Sequence, residues 1–102
     1  MDYAKKVHSA AAKIPRGRVS TYKDIATALG NPHLARAVGN ALNKNRDTEK
    51  VPCHRVIKSD GSLGGFNQGL KEKIRLLESE GITIRKGKVE NYKKILYRPH
   101  RI

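Results

Sequence analysis

Val51-Pro52-Cys53-His54-Arg55-Val56 holds the one cysteine of a 102-residue chain. Pro52 fixes its own φ and biases Val51 to extended backbone, so the pair reads as a stiff, non-helical approach that presents Cys53 at a defined place. An imidazole and a guanidinium follow at once. Both can favour a thiolate, one by accepting its proton and the other by opposing its charge. A free cysteine is by type more often a small buried hydrophobe than a nucleophile, and here its neighbours argue for the nucleophile.

The composition around this stretch narrows the setting. Lys and Arg number 22 against 9 Asp and Glu, a formal charge of +13, which favours a polyanionic partner bound through phosphate neutralisation and counterion release. Five aromatics and no Trp speak against a single-strand stacking platform and for duplex DNA. One cysteine excludes an internal disulfide framework and suits a reducing compartment, so a cytoplasmic location is expected. No run approaches the ~20 apolar residues of a membrane span, and the N-terminus lacks a secretory apolar segment. The length is that of one small domain spanning 1–102, without internal repeats.

Upstream of the cysteine the periodicity is helical. Tyr3, Val7, Ala10, Ala11 and Ile14 predict an amphipathic helix over 3–14, capped by Asp2 and ended by Pro15. After a Pro15-Arg16-Gly17 turn and a short extended step at Val19, Thr21 caps a second helix to about Leu29, with Asp24 in the capping-box position. Gly30-Asn31-Pro32 closes it and opens a third, with Leu34, Ala35, Val38, Ala41 and Leu42 on its apolar face. Two short helices joined this tightly form a helix-turn-helix pattern. Asn43 to Lys50 is a polar loop.

Downstream, Val56 and Ile57 favour a strand, and Asp60-Gly61 favours a tight hairpin. Gly64-Gly65 permits close approach of backbone to a ligand. Leu70, Ile74 and Leu77 predict a last helix stopped at Gly81, followed by a small hairpin from Ile82-Thr83-Ile84 through Lys86-Gly87-Lys88 to Val89. The basic tail beyond it carries no readable signal. His8, His33, His54 and His100 lack metal-ligand spacing, so no metal is expected.

Pro52-Cys53-His54-Arg55-Val56 resembles the active-site motif of the O6-alkylguanine-DNA alkyltransferases. Val19-Ser20-Thr21-Tyr22-Lys23-Asp24-Ile25-Ala26 and Arg36-Ala37-Val38-Gly39-Asn40-Ala41 are similar to that family's helix-turn-helix. Asn45 resembles its hinge asparagine, Gly64-Gly65-Phe66 its substrate loop, and Leu76-Leu77-Glu78-Ser79-Glu80-Gly81 its glutamate helix. The likeness runs in order over roughly residues 3 to 84. It implies a mainly α fold with a small β-hairpin, a winged-helix-like helix-turn-helix domain of the alkyltransferase C-terminal type.

The resemblance also implies a chemistry. Cys53 takes the alkyl group from O6 of a guanine flipped out of duplex DNA, once per molecule, because a thioether is not expelled by water. His54, through a water, accepts the thiol proton, Glu80 orients and stabilises that imidazole, and the Tyr22 hydroxyl protonates the departing guanine at N3. Val56, Gly64, Gly65, Phe66 and Asn67 hold the base. Thr21, Ala35, Arg36, Ala37, Gly39 and Asn40 meet DNA in the minor groove, Arg36 filling the place the base leaves. Asn45 ties the cysteine turn to the third helix. No cofactor is implied, and the expected partner is duplex DNA containing O6-alkylguanine, bound by a monomer.

Three departures stand out. Phe66 and Asn67 occupy positions where Tyr and Ser are commoner, and the N-terminal domain of most members is expected to be missing. Such short length is typical of the alkyltransferase-like proteins, which bind the lesion but have Trp at the cysteine position and transfer nothing. With Cys53 present, an active, minimal alkyltransferase is the preferred reading, and lesion binding without repair is the alternative. A helix-turn-helix regulator would need neither the cysteine motif nor Glu80.

Overall fold

The computed structural model describes residues 2–100. Helix α1 spans Tyr3–Ala11, and the Asp2 carboxylate accepts from Lys5 N–H at 2.9 Å as an N-cap. It ends earlier than its apolar spacing predicts. Pro15 disfavours helical geometry at the residue before it, and the chain leaves through tight turns, Lys13 N–H to Ala10 O and Ile14 N–H to Ala11 O. Ile14 is nonetheless buried, placed by the turn.

Strand β1 (Ser20–Thr21) leads straight into α2 (Tyr22–Ala28), whose first turn is capped by Thr21 Oγ1 accepting from Asp24 N–H at 2.9 Å. Gly30, at φ +104, stops it. Asn31 then caps a 3₁₀ turn, Pro32–Leu34, which feeds α3 (Ala35–Asn43). Because the turn is 3₁₀, Leu34 falls off the apolar face and is 39% exposed, while Val38, Ala41 and Leu42 stay buried. These three helices and the buried Cys53 and Val56 share one apolar cluster.

Cys53–Arg55 form a single 3₁₀ turn running into strand β2 (Val56–Ile57). β2 pairs in parallel with β1, Ser20 opposite Val56 and Thr21 opposite Ile57. A parallel pair needs a long crossover, here the whole helix-turn-helix and its loop. The pairing sets the start of α2 beside the cysteine turn. The turn at Asp60-Gly61 forms, Gly61 N–H donating to Lys58 O, but it makes no hairpin with β2. The turn closes on itself, Lys58 N–H donating to Ser62 O at 2.9 Å, and Ser62 then bridges to Lys88.

Helix α4 (Leu70–Ser79) closes the site side, and Gly81 at φ +85 ends it. Its inward face differs from the Leu70, Ile74, Leu77 stripe. Leu70 is 52% exposed, whereas Lys73 is wholly buried beside Leu77. Strands β3 (Ile84–Arg85) and β4 (Lys88–Val89) form the expected antiparallel hairpin, with positive φ at Lys86 and Gly87. A second apolar cluster gathers Val19, Ile57, Leu63, Leu77, Ile82 and Val89. The tail is structured as well. Leu96 bridges in parallel to Val19, with Val19 N–H to Ile95 O at 3.0 Å and Tyr97 N–H to Val19 O at 2.7 Å. The result is a mainly helical fold with small sheets.

Candidate active site

Cys53 is buried against the helical cluster yet lines the wall of an open cavity of about 340 Å³. Tyr22, Arg36, Gly39, Asn40, Gly64 and Phe66 line it too. α3 contributes Arg36, Gly39 and Asn40 to its lining, the loop after β2 Gly64 and Phe66, and the start of α2 Tyr22. Ala35 and Gly65 also border it, so most residues expected at the base pocket and the DNA helix converge there.

Asn45 is buried and fixes the approach to the cysteine. Its Nδ2 donates to Val51 O at 2.8 Å and to Cys53 Sγ at 3.5 Å, while its Oδ1 accepts from Asp47 N–H at 3.1 Å. One amide therefore links the end of α3 to the sulfur.

His54 Nε2 donates to Glu80 Oε2 at 2.8 Å. A carboxylate only accepts, so the proton sits on Nε2, and Nδ1 carries the lone pair. That Nδ1 is buried with no partner among the described residues. Burial pushes the imidazole below its ordinary value, against the pull of Glu80, so it stands neutral and able to take a proton near neutral pH. Burial alone would raise the Glu80 carboxyl. Hydrogen bonds from Arg55 and His54 and from the Gly17 N–H outweigh it and bring the carboxyl down to about 2.

Arg55 does not face the thiol. Its Nε and Nη2 grip Glu80 as a two-pronged pair at 2.8 Å each, and Nη1 donates to Ile14 O at 2.8 Å. The expectation that this guanidinium opposes the thiolate charge is therefore corrected. It locks Glu80, which in turn holds His54.

Gly64 packs closely against Tyr22. A Cβ at Gly64 would lie 2.8 Å from the Tyr22 hydroxyl, and its φ of +72 is a glycine conformation. Burial, reinforced by the charge of an ionised Cys53, raises the phenol to about 12, so it keeps its proton as a donor. Beside it lies Lys73, which sequence reasoning missed. Its Nζ donates to Val56 O at 2.8 Å, Gly65 O at 3.1 Å and, at 3.5 Å, the Tyr22 hydroxyl. Burial lowers this amine to about 8, partly offset by an ionised Cys53.

Other expected residues lie nearby without lining the cavity. Asn67 turns its amide to Asn45 O at 2.6 Å and Asn43 O at 3.3 Å, pinning the Gly64–Asn67 loop to the end of α3. The Thr21 side chain is engaged as the α2 cap. Val56 is fully buried, and its carbonyl accepts from Lys73. Ala37 is half-buried on α3, outside the cavity lining. Arg36 is exposed on α3 at the cavity edge. No described helix is long and apolar enough to cross a membrane, and the described residues contain no group of three or more His, Cys, Asp or Glu arranged for a metal.

Residues 2–82 match the family model described as 6-O-methylguanine DNA methyltransferase, DNA binding domain. A bifunctional methyltransferase/endonuclease of Picrophilus torridus is 48% identical over 90 residues, 88% of this chain and 30% of that protein. A methylated-DNA–protein-cysteine methyltransferase of Methanosarcina barkeri is 46% identical over 84 residues, 82% of this chain and 53% of that protein. The chain thus spans between about a third and a half of these curated relatives. Among solved structures, S. pombe Atl1 in complex with damaged DNA containing O6-carboxymethylguanine superposes with TM-score 0.82 at 35% identity, over 94% of both chains. Mycobacterium tuberculosis OGT in complex with DNA gives 0.75 at 42% identity, over 79% of this chain and 49% of that one.

Proposed function

The chain belongs to the 6-O-methylguanine DNA methyltransferase DNA-binding-domain family, and from that premise we propose that it repairs O6-alkylguanine in duplex DNA by moving the alkyl group to Cys53. The observation that carries this reading is the chain of contacts running from Arg55 and Gly17 to Glu80 and from Glu80 to His54 Nε2, which leaves the other nitrogen of that imidazole, Nδ1, buried and without a partner among the described residues, one residue from the cysteine.

The steps follow from those residues. The flipped guanine enters the cavity between α3 and the Gly64-Gly65 loop, and Arg36 takes its place in the stack. Unstacking costs roughly a few kcal/mol, which the phosphate and pocket contacts offset. The Cys53 proton passes to His54 Nδ1, through a bridging water in keeping with the resemblance, and Glu80 stabilises the imidazolium. Sγ attacks the alkyl carbon in line, a C–S bond forms and the C–O6 bond breaks. The electron pair goes to O6 and the purine ring, which the Tyr22 hydroxyl protonates at N3. Lys73, donating to the same hydroxyl oxygen, holds that phenol in line. The thioether product has no route back to a thiol, so each molecule acts once.

Lesion binding without repair is the second reading, favoured by the end-to-end match to Atl1 and its damaged DNA. The two separate in a titration of O6-methylguanine duplex with protein. Repair restores one guanine per protein molecule and then stops. Tight binding with no guanine restored supports the second reading.

A further inference from the structure

The family match ends at residue 82, yet the chain continues with Arg85, Lys86, Lys88, Lys93, Lys94 and Arg98 against the single acid Glu90 in its described part. This segment is docked in place. Beyond the Val19 bonds, the Tyr92 hydroxyl donates to Ser59 O at 2.7 Å. Tyr92 also packs on Gly61 so closely that a Cβ there would meet its ring at 2.9 Å. Anchors on both sides of Lys93, and at Leu96 and Tyr97 just before Arg98, fix the backbone that carries these two cations.

Lys93 and Arg98 stand with Lys23 around a polar hollow of about 530 Å³ between the start of α2 and the tail, with Asp24 as its one acid. A second hollow, lined by Tyr22, Lys23, Ala35, Lys58, Ser59 and Asp60, lies beside it. It shares Tyr22, Ala35 and Lys58 with the base cavity, and Lys23 and Ser59 with the tail hollow. The Asp60 carboxylate is held by Ser62, through N–H at 3.0 Å and Oγ–H. Cations thus continue from the mouth of the base cavity, Lys58 then Lys23, to Lys93 and Arg98.

We propose that Lys93 and Arg98 of the C-terminal segment extend the DNA-binding surface, receiving phosphates of the strand that leaves the base cavity past Lys58 and Lys23. This rests on the reading of the cavity as the seat of a flipped nucleotide. Phosphate contacts carry no base information, so the tail strengthens binding to lesion-bearing and unmodified duplex alike. Cations on an anchored backbone also lose less freedom on binding than those of a loose tail.

The test measures duplex binding by fluorescence anisotropy across a salt series for the wild type, K93Q/R98Q and the charge-reversed K93E/R98E, with K71Q on the exposed part of α4 as control. Both tail positions are exposed, so the fold tolerates these changes. Each lost phosphate contact flattens the log–log salt slope by about 0.9. K93Q/R98Q is expected to flatten it by about 2 and weaken both duplexes several-fold, K93E/R98E to weaken them further, and K71Q to match the wild type. A wild-type slope retained in both tail variants overturns the proposal while leaving the base-cavity reading intact. A C53S protein, which cannot consume the lesion, that does not prefer O6-methylguanine duplex at any salt overturns that reading itself.

Discussion

Lys73 places its ammonium 3.5 Å from the Tyr22 hydroxyl while wholly buried, 51 positions away in sequence. The same nitrogen donates to Val56 O and Gly65 O, so one side chain joins the strand after the cysteine turn, the Gly64-Gly65 loop and the start of α2. Its burial lowers the amine from 10.5 to about 8.

That depression fixes a pH signature. Between about pH 8 and 10.5 the unfolded chain holds a proton that the folded chain has released, so stability rises with pH across this window. The full gain is on the order of 3 kcal/mol. K73M, which has no amine to titrate, is expected to lack it, and denaturant unfolding of both proteins at pH 7, 9 and 10.5 reads the difference. Transfer should move the other way, slowing above pH 8 in the wild type as the donor to Tyr22 is lost. A stability difference between the two proteins that stays flat over this range contradicts the assignment.

Glu80 works with the opposite sign. Its carboxyl falls from 4.5 to about 2, so its contribution is complete above pH 4.5 and disappears as pH falls toward 2. Removing one partner of a buried, hydrogen-bonded charge leaves Arg55 unpaired, typically ~3 kcal/mol. E80Q should therefore be less stable at neutral pH by roughly that amount, and should lose most of the acid sensitivity that the wild type shows between pH 4.5 and 2. Its transfer rate should drop sharply while duplex binding is retained. An E80Q protein with wild-type transfer kinetics would remove Glu80 from the site.

Neighbouring glycines offer an internal control. At Gly64 a Cβ meets the Tyr22 hydroxyl at 2.8 Å and φ is +72, whereas at Gly65 a Cβ meets nothing within 4 Å. G64A is expected to cost about 1–3 kcal/mol and to slow transfer by displacing Tyr22. G65A should leave stability within about 0.5 kcal/mol. Equal effects in thermal unfolding would contradict the close packing described for Tyr22.

Arg36 lines the cavity from an exposed position on α3. If it fills the stack after the base leaves, R36A should slow repair of O6-methylguanine in duplex far more than reaction with free O6-benzylguanine, which needs no extrusion. Equal losses on the two substrates, measured side by side, would argue against this role.

The cysteine, its histidine, the helix-turn-helix and the terminal hairpin were legible because each has a local cause: a proline approach, side-chain caps, a left-handed turn. Glu80 could be paired with His54 only through the resemblance, since the bond spans 26 positions. Lys73 was not legible, because lysine is almost never fully buried and the Leu70 spacing favoured a different face of α4. Arg55 was assigned to the thiol by adjacency, but the 3₁₀ turn directs it to Glu80. The β1–β2 pairing and the docked tail arise from contacts between distant segments, which no local pattern announces.

The most direct test is the mass of the protein after incubation with duplex DNA bearing O6-methylguanine. Transfer predicts a gain of about 14 Da, one CH2, on the peptide containing Cys53, in every active molecule and absent from C53S. Unchanged mass in a protein that binds the lesion tightly would contradict it.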